Sequence, residues 1–132
     1  LMSVYAQKNC SIVGLNIVPD KDAHKYGVIS SDDVGHAEQT FAINDIVEKP
    51  TENAPSNLAV VGRYILSNTI FNYLENLAPS VGGEVQLTDA IKLMLKDELV
   101  IGHLYKGLKF DCGSRHGYAQ AITHLAKDIL AN

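Results

Sequence analysis

Three ionisable residues stand where apolar runs of this sequence end. Residues 43–50 read I-N-D-I-V-E-K-P, so a β-branched run places Glu48 and Lys49 just before Pro50, which stops the strand. The run L-K-F-D-C-G places Asp111 ahead of a glycine in the same way. A carboxylate can accept hydrogen bonds from two sugar hydroxyls, a lysine can neutralise a phosphate, and an aspartate can bind Mg²⁺ through one oxygen.

These residues also have a plain structural interpretation. The letters E-K-P suit a solvated strand end and D-C-G suits a turn, and the residue types alone favour this interpretation. Location is what favours a site. In open α/β sheets, ligands bind beyond the carboxyl ends of strands, where backbone groups and loop side chains converge. The elements along the chain therefore decide whether such an edge exists.

Alternating strands and helices predict a layered α/β fold. Strands are predicted over residues 11–18, 25–30, 41–48, 57–66, 99–105 and 109–111, and the polar residues 31–40 predict a loop. The sequence opens in a helix that Asn9 can end. Further helices are predicted in the second half of the chain, where they alternate with strands. Thr88 is predicted to cap one of them. Apolar helix faces are predicted at Ile70, Phe71, Leu74 and Leu77, at Leu87, Ile91, Met94 and Leu95, and at Tyr118, Ala121, Ile122, Leu125 and Ile129.

Composition excludes several classes of function. The 132 residues amount to one domain or a piece of one, and with 46% hydrophobic and 20% charged residues they can bury a core. A net charge of −4 argues against nucleic-acid and anionic-membrane partners. The sequence has no signal-peptide pattern and no apolar run of the roughly 20 residues that span a bilayer. Cys10 and Cys112 lack metal-ligand spacing, so reduced thiols and a cytoplasmic location are expected.

A combination of motifs makes the interpretation more specific. From Tyr26 to Tyr118 the sequence contains, in order, Y-G-V, V-E-K-P, A-P-S-N-L-A-V-V-G-R-Y-I-L, G-G-E-V-Q-L-T-D-A-I and F-D-C-G-S-R-H-G-Y. This order closely resembles the C-terminal half of the bacterial UTP–glucose-1-phosphate uridylyltransferases, within the sugar nucleotidyltransferase family. E-K-P is shared across that family, whereas the longer motifs are typical of its uridylyl branch. The resemblance covers nearly the whole chain.

The resemblance implies a fold, a reaction and a set of roles. The fold would be part of a Rossmann-like mixed-sheet nucleotidyltransferase, layered α/β/α. The reaction would transfer a uridylyl group from UTP to glucose 1-phosphate, giving UDP-glucose and pyrophosphate with Mg²⁺ as cofactor. Gly27 and Val60 would offer backbone groups to the sugar, and Glu48 would bind its hydroxyls. Lys49 would bind the sugar phosphate as a catalytic residue, and Asp111 would be one of two aspartates that hold the metal.

One departure from the family pattern matters. The glycine-rich nucleotide loop and the first metal aspartate appear nowhere in the sequence. Residues 1–132 are therefore expected to form the C-terminal, sugar-phosphate-binding half of the enzyme, inactive alone and homo-oligomeric, with the N-terminal nucleotide-binding half absent. Arg115 and His116 also depart from the family pattern, which leaves a phosphate role for Arg115 open.

Two other functions remain open at this point. One is a related sugar-1-phosphate nucleotidyltransferase that uses dTTP or ATP, since base recognition belongs to the absent half. The other is a non-catalytic carbohydrate-binding or oligomerisation module. The histidines share no helical face or ligand spacing and are interpreted as surface or core residues; they are His24, His36, His103, His116 and His124.

Overall fold

Six strands form one mixed sheet in the computed structural model, which describes residues 1–33 and 39–130. They are β1 (Ser11–Ile17), β2 (Gly27–Ser30), β3 (Thr40–Ala42), β4 (Asp45–Glu48), β5 (Leu58–Ile65) and β6 (Val100–Leu104). Their order across the sheet is β3-β6-β1-β5-β2-β4. Strands β1 and β6 run parallel, and the other neighbours pair antiparallel. The predicted mixed α/β architecture is confirmed.

Helices follow the strands much as the sequence predicts. They are α1 (Met2–Lys8), α2 (Ile70–Glu75), α3 (Leu87–Met94) and α4 (Arg115–Leu130), with 3₁₀ segments at Asp20–Lys25 and Val81–Gly83. Helix α1 ends at Asn9, whose φ of 48° is left-handed and whose N–H bonds back to the Tyr5 carbonyl, as the sequence indicates. None of the helices described is long and apolar enough to cross a membrane.

The two faces of the sheet are covered differently. The larger core lies under α2 and α3, where β-branched and aliphatic side chains of the sheet meet Ile91 and Met94, both fully buried. The smaller core lies where the 3₁₀ segment Asp20–Lys25 places Ala23 against Val28 and Ala59. Burying apolar surface on both faces is what holds a layered α/β sheet together.

The predicted strand over 41–48 is in fact two strands at opposite edges of the sheet. Between β3 and β4, the N–H of Ile43 donates to the Val100 carbonyl at 3.0 Å, and the N–H of Asn44 donates to the Ser30 carbonyl at 2.9 Å. Two residues span at most about 7 Å, so the sheet must curl until its edges approach each other here. Alternating apolar residues cannot reveal such a change of partner, which explains why the sequence predicts one strand.

Strand β5 bends immediately after Val60. The register with β1 passes from Leu15↔Val60 to Val13↔Tyr64, so Gly14 alone faces the residues 61–63. Within that bulge Gly62 has a φ of 71°, in the left-handed region that favours glycine. A bulge bends its strand and increases its twist, so β5 changes direction directly after Val60.

Some local predictions are wrong. Residues 109–111 form no strand and instead lead directly into α4. Helix α3 begins after Gln86, so Thr88 lies inside its first turn rather than at its cap. The expected apolar faces are only partly packed, since Phe71 on α2 is 64% exposed. On α4, Ala121 is buried while the other described members are at least half exposed, namely Tyr118, Ile122 and Leu125. The side chain of Ile129, and residues 34–38 of the predicted loop with His36, lie outside the described part.

Candidate functional site

Gly27, at the start of β2, is the centre of the candidate site. It pairs with Glu48, at the end of β4, because the two strands run antiparallel. A Cβ placed on Gly27 would lie 2.9 Å from Thr88 Cγ2, 3.0 Å from Glu48 Oε2 and 3.6 Å from Val60 Cγ2. Side chains from three further elements thus converge on a backbone position that has no room for a side chain of its own. Glycine is therefore required here, because any larger residue would collide with Thr88 and Glu48.

Glu48 is held in a defined orientation. Its side chain is only 13% exposed, and its Oε2 accepts a hydrogen bond from the Thr88 hydroxyl at 2.9 Å. The other oxygen, Oε1, lies 3.9 Å from Lys49 Nζ. Burial, and after it the negative charge of Glu48, raise the pKa of Tyr64, which places this phenol in the field of the carboxylate. The carboxylate is an oriented acceptor at the sheet edge.

Lys49 occupies an unusual backbone conformation. Its φ of 43° is left-handed, which costs a non-glycine residue on the order of 1 kcal/mol or more. Its N–H donates to the Tyr26 carbonyl at 3.1 Å, so the chain stays tied to the residue before Gly27 while it turns toward Pro50. The side chain is 51% exposed. The amine is therefore available to an anion next to Glu48.

Asp111 lies in an exposed turn that leads into α4. Its Oδ1 accepts the Gly113 N–H at 3.1 Å, and its carbonyl accepts the Ser114 hydroxyl at 3.0 Å. The pKa of Lys25 is raised, first by its hydrogen bond to Asp22 and more weakly by the negative charge of Asp111. This interaction brings Asp111 within electrostatic reach of Lys25, in the segment that precedes Gly27.

A second contact supports that placement. The Lys109 amine lies 4.1 Å from the centre of the Tyr26 ring, in cation–π geometry. The segment that carries Asp111 therefore touches the residue immediately before Gly27. Within residues 1–33 and 39–130, no group of three or more His, Cys, Asp or Glu side chains could hold a metal ion. Among these described residues, Asp111 is at most part of a metal site.

The structure brings together most of the residues that the sequence singles out. Gly27, Glu48 and Val60 share one site, and Lys49 adjoins it. Thr88 is the member that the sequence analysis missed. Its motif E-V-Q-L-T-D-A was noted, but a threonine near a helix start is most simply interpreted as a cap, and spacing cannot show a contact between residues forty positions apart.

Other polar residues stay outside the site. Arg115 is exposed at the start of α4, and nothing in the structure assigns it a ligand. Burial lowers the pKa of His103, on β6, with a further contribution from the N-terminal amine. Cys10 and Cys112 are both free thiols, as expected. Burial raises the pKa of the Cys10 thiol against a weaker opposing effect of Lys8, which disfavours the reactive thiolate.

Comparison with known proteins identifies the class. The nucleotidyl transferase family model matches residues 2–128, so the chain belongs to that family. It is similar to the UTP–glucose-1-phosphate uridylyltransferase of Pseudomonas aeruginosa, with 44% identity over 130 residues that make up 98% of this chain and 46% of the relative. The uridylyltransferase resemblance is thereby confirmed.

Solved structures agree with the sequence comparison. A UDP-glucose pyrophosphorylase complexed with UDP-glucose matches 96% of this chain and 47% of its own at a TM-score of 0.88 and 42% identity. A UTP-bound UGPase from Acinetobacter baumannii matches 94% and 42% of the two chains at a TM-score of 0.79 and 37% identity. The nucleotidyltransferase fold is therefore confirmed. The chain spans about half the length of the relatives that it matches.

Proposed function

We propose that this chain supplies the sugar-phosphate site of a UTP–glucose-1-phosphate uridylyltransferase. The observation that carries the proposal is the convergence of Glu48, Val60 and Thr88 on the bare backbone of Gly27. A site for a hydroxylated ligand needs oriented polar groups, and the Glu48 carboxylate, held by the Thr88 hydroxyl, is one. The similarity to uridylyltransferases over nearly the whole chain supports the same reaction.

Each site residue has a role that its chemistry suits. Glu48 would accept hydrogen bonds from sugar hydroxyls, while Gly27 and Val60 offer backbone groups on either side of the ring. Lys49 would pair its half-exposed amine with the sugar phosphate as a point charge. An oxygen of that phosphate would form a bond to the α-phosphorus of UTP as the bond to the β-phosphate oxygen breaks and pyrophosphate leaves. Lys49 would then stabilise charge on the phosphate oxygens.

Asp111 fits one half of a magnesium site. Its carboxylate offers the hard oxygen that Mg²⁺ prefers, and within the described residues it belongs to no group of three or more side chains that could hold a metal ion. When bound, the cation would neutralise charge on the phosphate oxygens of both substrates. The second carboxylate would have to come from the rest of a longer protein.

We also propose that the nucleotide is bound outside this chain. The sequence contains no glycine-rich phosphate loop, and the relatives are about twice as long as the matched region. Residues 1–132 would thus be the sugar-phosphate half of one catalytic domain. The UTP-bound relative favours UTP over dTTP or ATP. A non-catalytic carbohydrate-binding module is disfavoured because Lys49 and Asp111 add phosphate and metal chemistry to the sugar site.

Assembly and location belong to the same proposal. Helix α4 exposes three large apolar side chains, each about half accessible, at Tyr118, Ile122 and Leu125. We assign the surface that covers them to a second copy of the protein in a homo-oligomer. Light scattering of the full-length protein and of an Ile122→Glu variant measures the oligomeric state. A parent protein that is already monomeric would contradict the homo-oligomer.

Two free thiols and nucleotide substrates support a cytoplasmic location.

The activity test is pyrophosphate release by the full-length protein that contains this chain. UTP, dTTP and ATP are each supplied with glucose 1-phosphate and Mg²⁺, and the product is identified by mass. We expect the largest kcat/KM with UTP, yielding UDP-glucose, and no turnover by the isolated 132-residue chain. A preference for dTTP or ATP would move the protein to another branch of the family, and the absence of turnover with all three would contradict the proposed reaction.

A further inference from the structure

We propose that Thr88 is a positioning residue of the sugar site, which fixes the Glu48 carboxylate through its hydroxyl and closes the space over Gly27 with its methyl group. The inference rests on the proposed sugar-phosphate site and adds to it a residue that determines orientation. Thr88 is 6% exposed and belongs to the first turn of α3, an element distinct from the three strands that carry Gly27, Glu48 and Val60.

The hydroxyl makes a contact that selects one carboxylate oxygen. Thr88 Oγ1 donates to Glu48 Oε2 at 2.9 Å, across forty positions of sequence. A threonine within a helix commonly bonds a carbonyl of the preceding turn, whereas this one reaches another element. Hydrogen bonds to ionised acceptors are stronger than neutral ones, so the contact restrains a carboxylate whose last torsion is otherwise broad.

That restraint decides which oxygen a ligand meets. With Oε2 held by Thr88, Oε1 is the oxygen on the Lys49 side, 3.9 Å from the Lys49 amine. A sugar phosphate that contacts both Glu48 and Lys49 would find its hydroxyl acceptor already oriented. Preset orientation lowers the entropic cost of binding and of reaching the reactive geometry.

The methyl group forms a wall on the opposite side. Thr88 Cγ2 lies 2.9 Å from the position of a Cβ on Gly27, closer than real Cβ contacts allow. Helix α3 holds this wall in place, because Ala90, Ile91 and Met94 are all fully buried in the core. A rigid, well-packed element positions a side chain more accurately than a loop does.

Two substitutions in the full-length protein separate the two roles. Thr88→Val keeps the side-chain shape and removes the donor, and it is expected to raise the KM for glucose 1-phosphate by roughly tenfold while the KM for UTP stays the same. Thr88→Ser keeps the donor and is expected to recover most of the lost affinity. Equal KM values for Thr88→Val and the parent, or equal increases for both substrates, would overturn the role of the hydroxyl.

A double-mutant cycle tests whether Thr88 acts through Glu48. In a Glu48→Gln background, Thr88→Val should raise the KM for glucose 1-phosphate much less than it does in the parent, because the oriented charge is already gone. Independent, multiplicative effects would contradict a positioning role and indicate a merely structural one. This comparison presupposes that the parent uses glucose 1-phosphate, so an inactive parent would count against the proposed function instead.

The contact between the Thr88 methyl group and Gly27 can be tested by thermal stability, without an activity assay. Gly27→Ala introduces a Cβ against Thr88 Cγ2 and should lower the Tm of the full-length protein. Adding Thr88→Ser removes that methyl and should restore part of the lost Tm. If the Tm decreases of the two substitutions simply add, the methyl does not confine Gly27 and this part of the proposal fails.

Discussion

Gly27 and Glu48 are direct partners across β2 and β4, and Glu48 Oε2 lies 3.0 Å from the position that a Cβ on Gly27 would take. The sheet register therefore sets the distance between the bare backbone and the carboxylate. A register shift of one residue would turn Glu48 to the other face of the sheet. The site thus depends on strand pairing as much as on residue type.

Gly27→Ala tests whether that bare backbone is needed for catalysis. The added methyl would push against Thr88 and Glu48 and turn the carboxylate out of its orientation, so we expect kcat/KM for glucose 1-phosphate to fall on the order of 100-fold in the full-length protein. Steady-state kinetics with UTP held at saturation measures it. A folded variant with parental kcat/KM would show that the packing of Thr88 and Glu48 against Gly27 does not affect sugar binding.

Lys49→Met tests the phosphate contact. The substitution keeps the aliphatic stem and removes the half-exposed charge, so the KM for glucose 1-phosphate should rise about tenfold or more. Lys96→Met, on an exposed lysine beyond α3, is the matched control. Similar KM values for the two variants would show that Lys49 does not contact the sugar phosphate.

Asp111→Asn tests the proposed metal carboxylate. Asparagine keeps the oxygen that accepts the Gly113 N–H, so the turn before α4 should survive while the charge that attracts a hard cation is lost. We expect a severe fall in kcat and a shift of the Mg²⁺ titration to higher concentration. Asp32→Asn, at another exposed aspartate, serves as control. A Mg²⁺ titration that matches the parent's would make Asp111 a structural turn residue.

Met94→Ala tests the packing that supports the site. Met94 is fully buried under the sheet, and its truncation should lower the free energy of unfolding by about 2–5 kcal/mol. Urea denaturation of the full-length protein measures the change, and Met2→Ala is the control because Met2 is 73% exposed. An equally small effect of both substitutions would mean that α3 is not anchored as the structure describes.

Much of the fold follows from local sequence signals. Asn9 ends α1, and the apolar runs around Val13 and Val60 form buried strands because these signals depend on near neighbours. The long-range features do not follow. The separation of β3 from β4 depends on two hydrogen bonds, from Ile43 and Asn44 to partners far away in sequence. Hydrophobic periodicity reports burial and leaves the identity of the partner open.

Some residues of the candidate site are likewise visible in the local sequence, whereas others depend on the tertiary fold. Glu48 and Lys49 are visible as a charged end to an apolar run, and Gly27 becomes informative once the motif Y-G-V is noted. Thr88 could not be found from its own surroundings, because its partner Glu48 is supplied by the tertiary fold. The strand end that the sequence predicts at Asp111 is a turn in the structure, because short apolar runs do not by themselves distinguish a strand from a loop.

The most direct test of the sugar site is the effect of Glu48→Ala on the two substrate KM values of the full-length protein. Loss of two hydrogen bonds to an ionised acceptor, together about 2–4 kcal/mol, should raise the KM for glucose 1-phosphate roughly 30-fold or more. The KM for UTP should change little, and Glu75→Ala, on the exposed end of α2, should match the parent. A KM for glucose 1-phosphate that stays at the parental value, or that rises no more than the KM for UTP, would contradict the assignment of this strand end to the sugar.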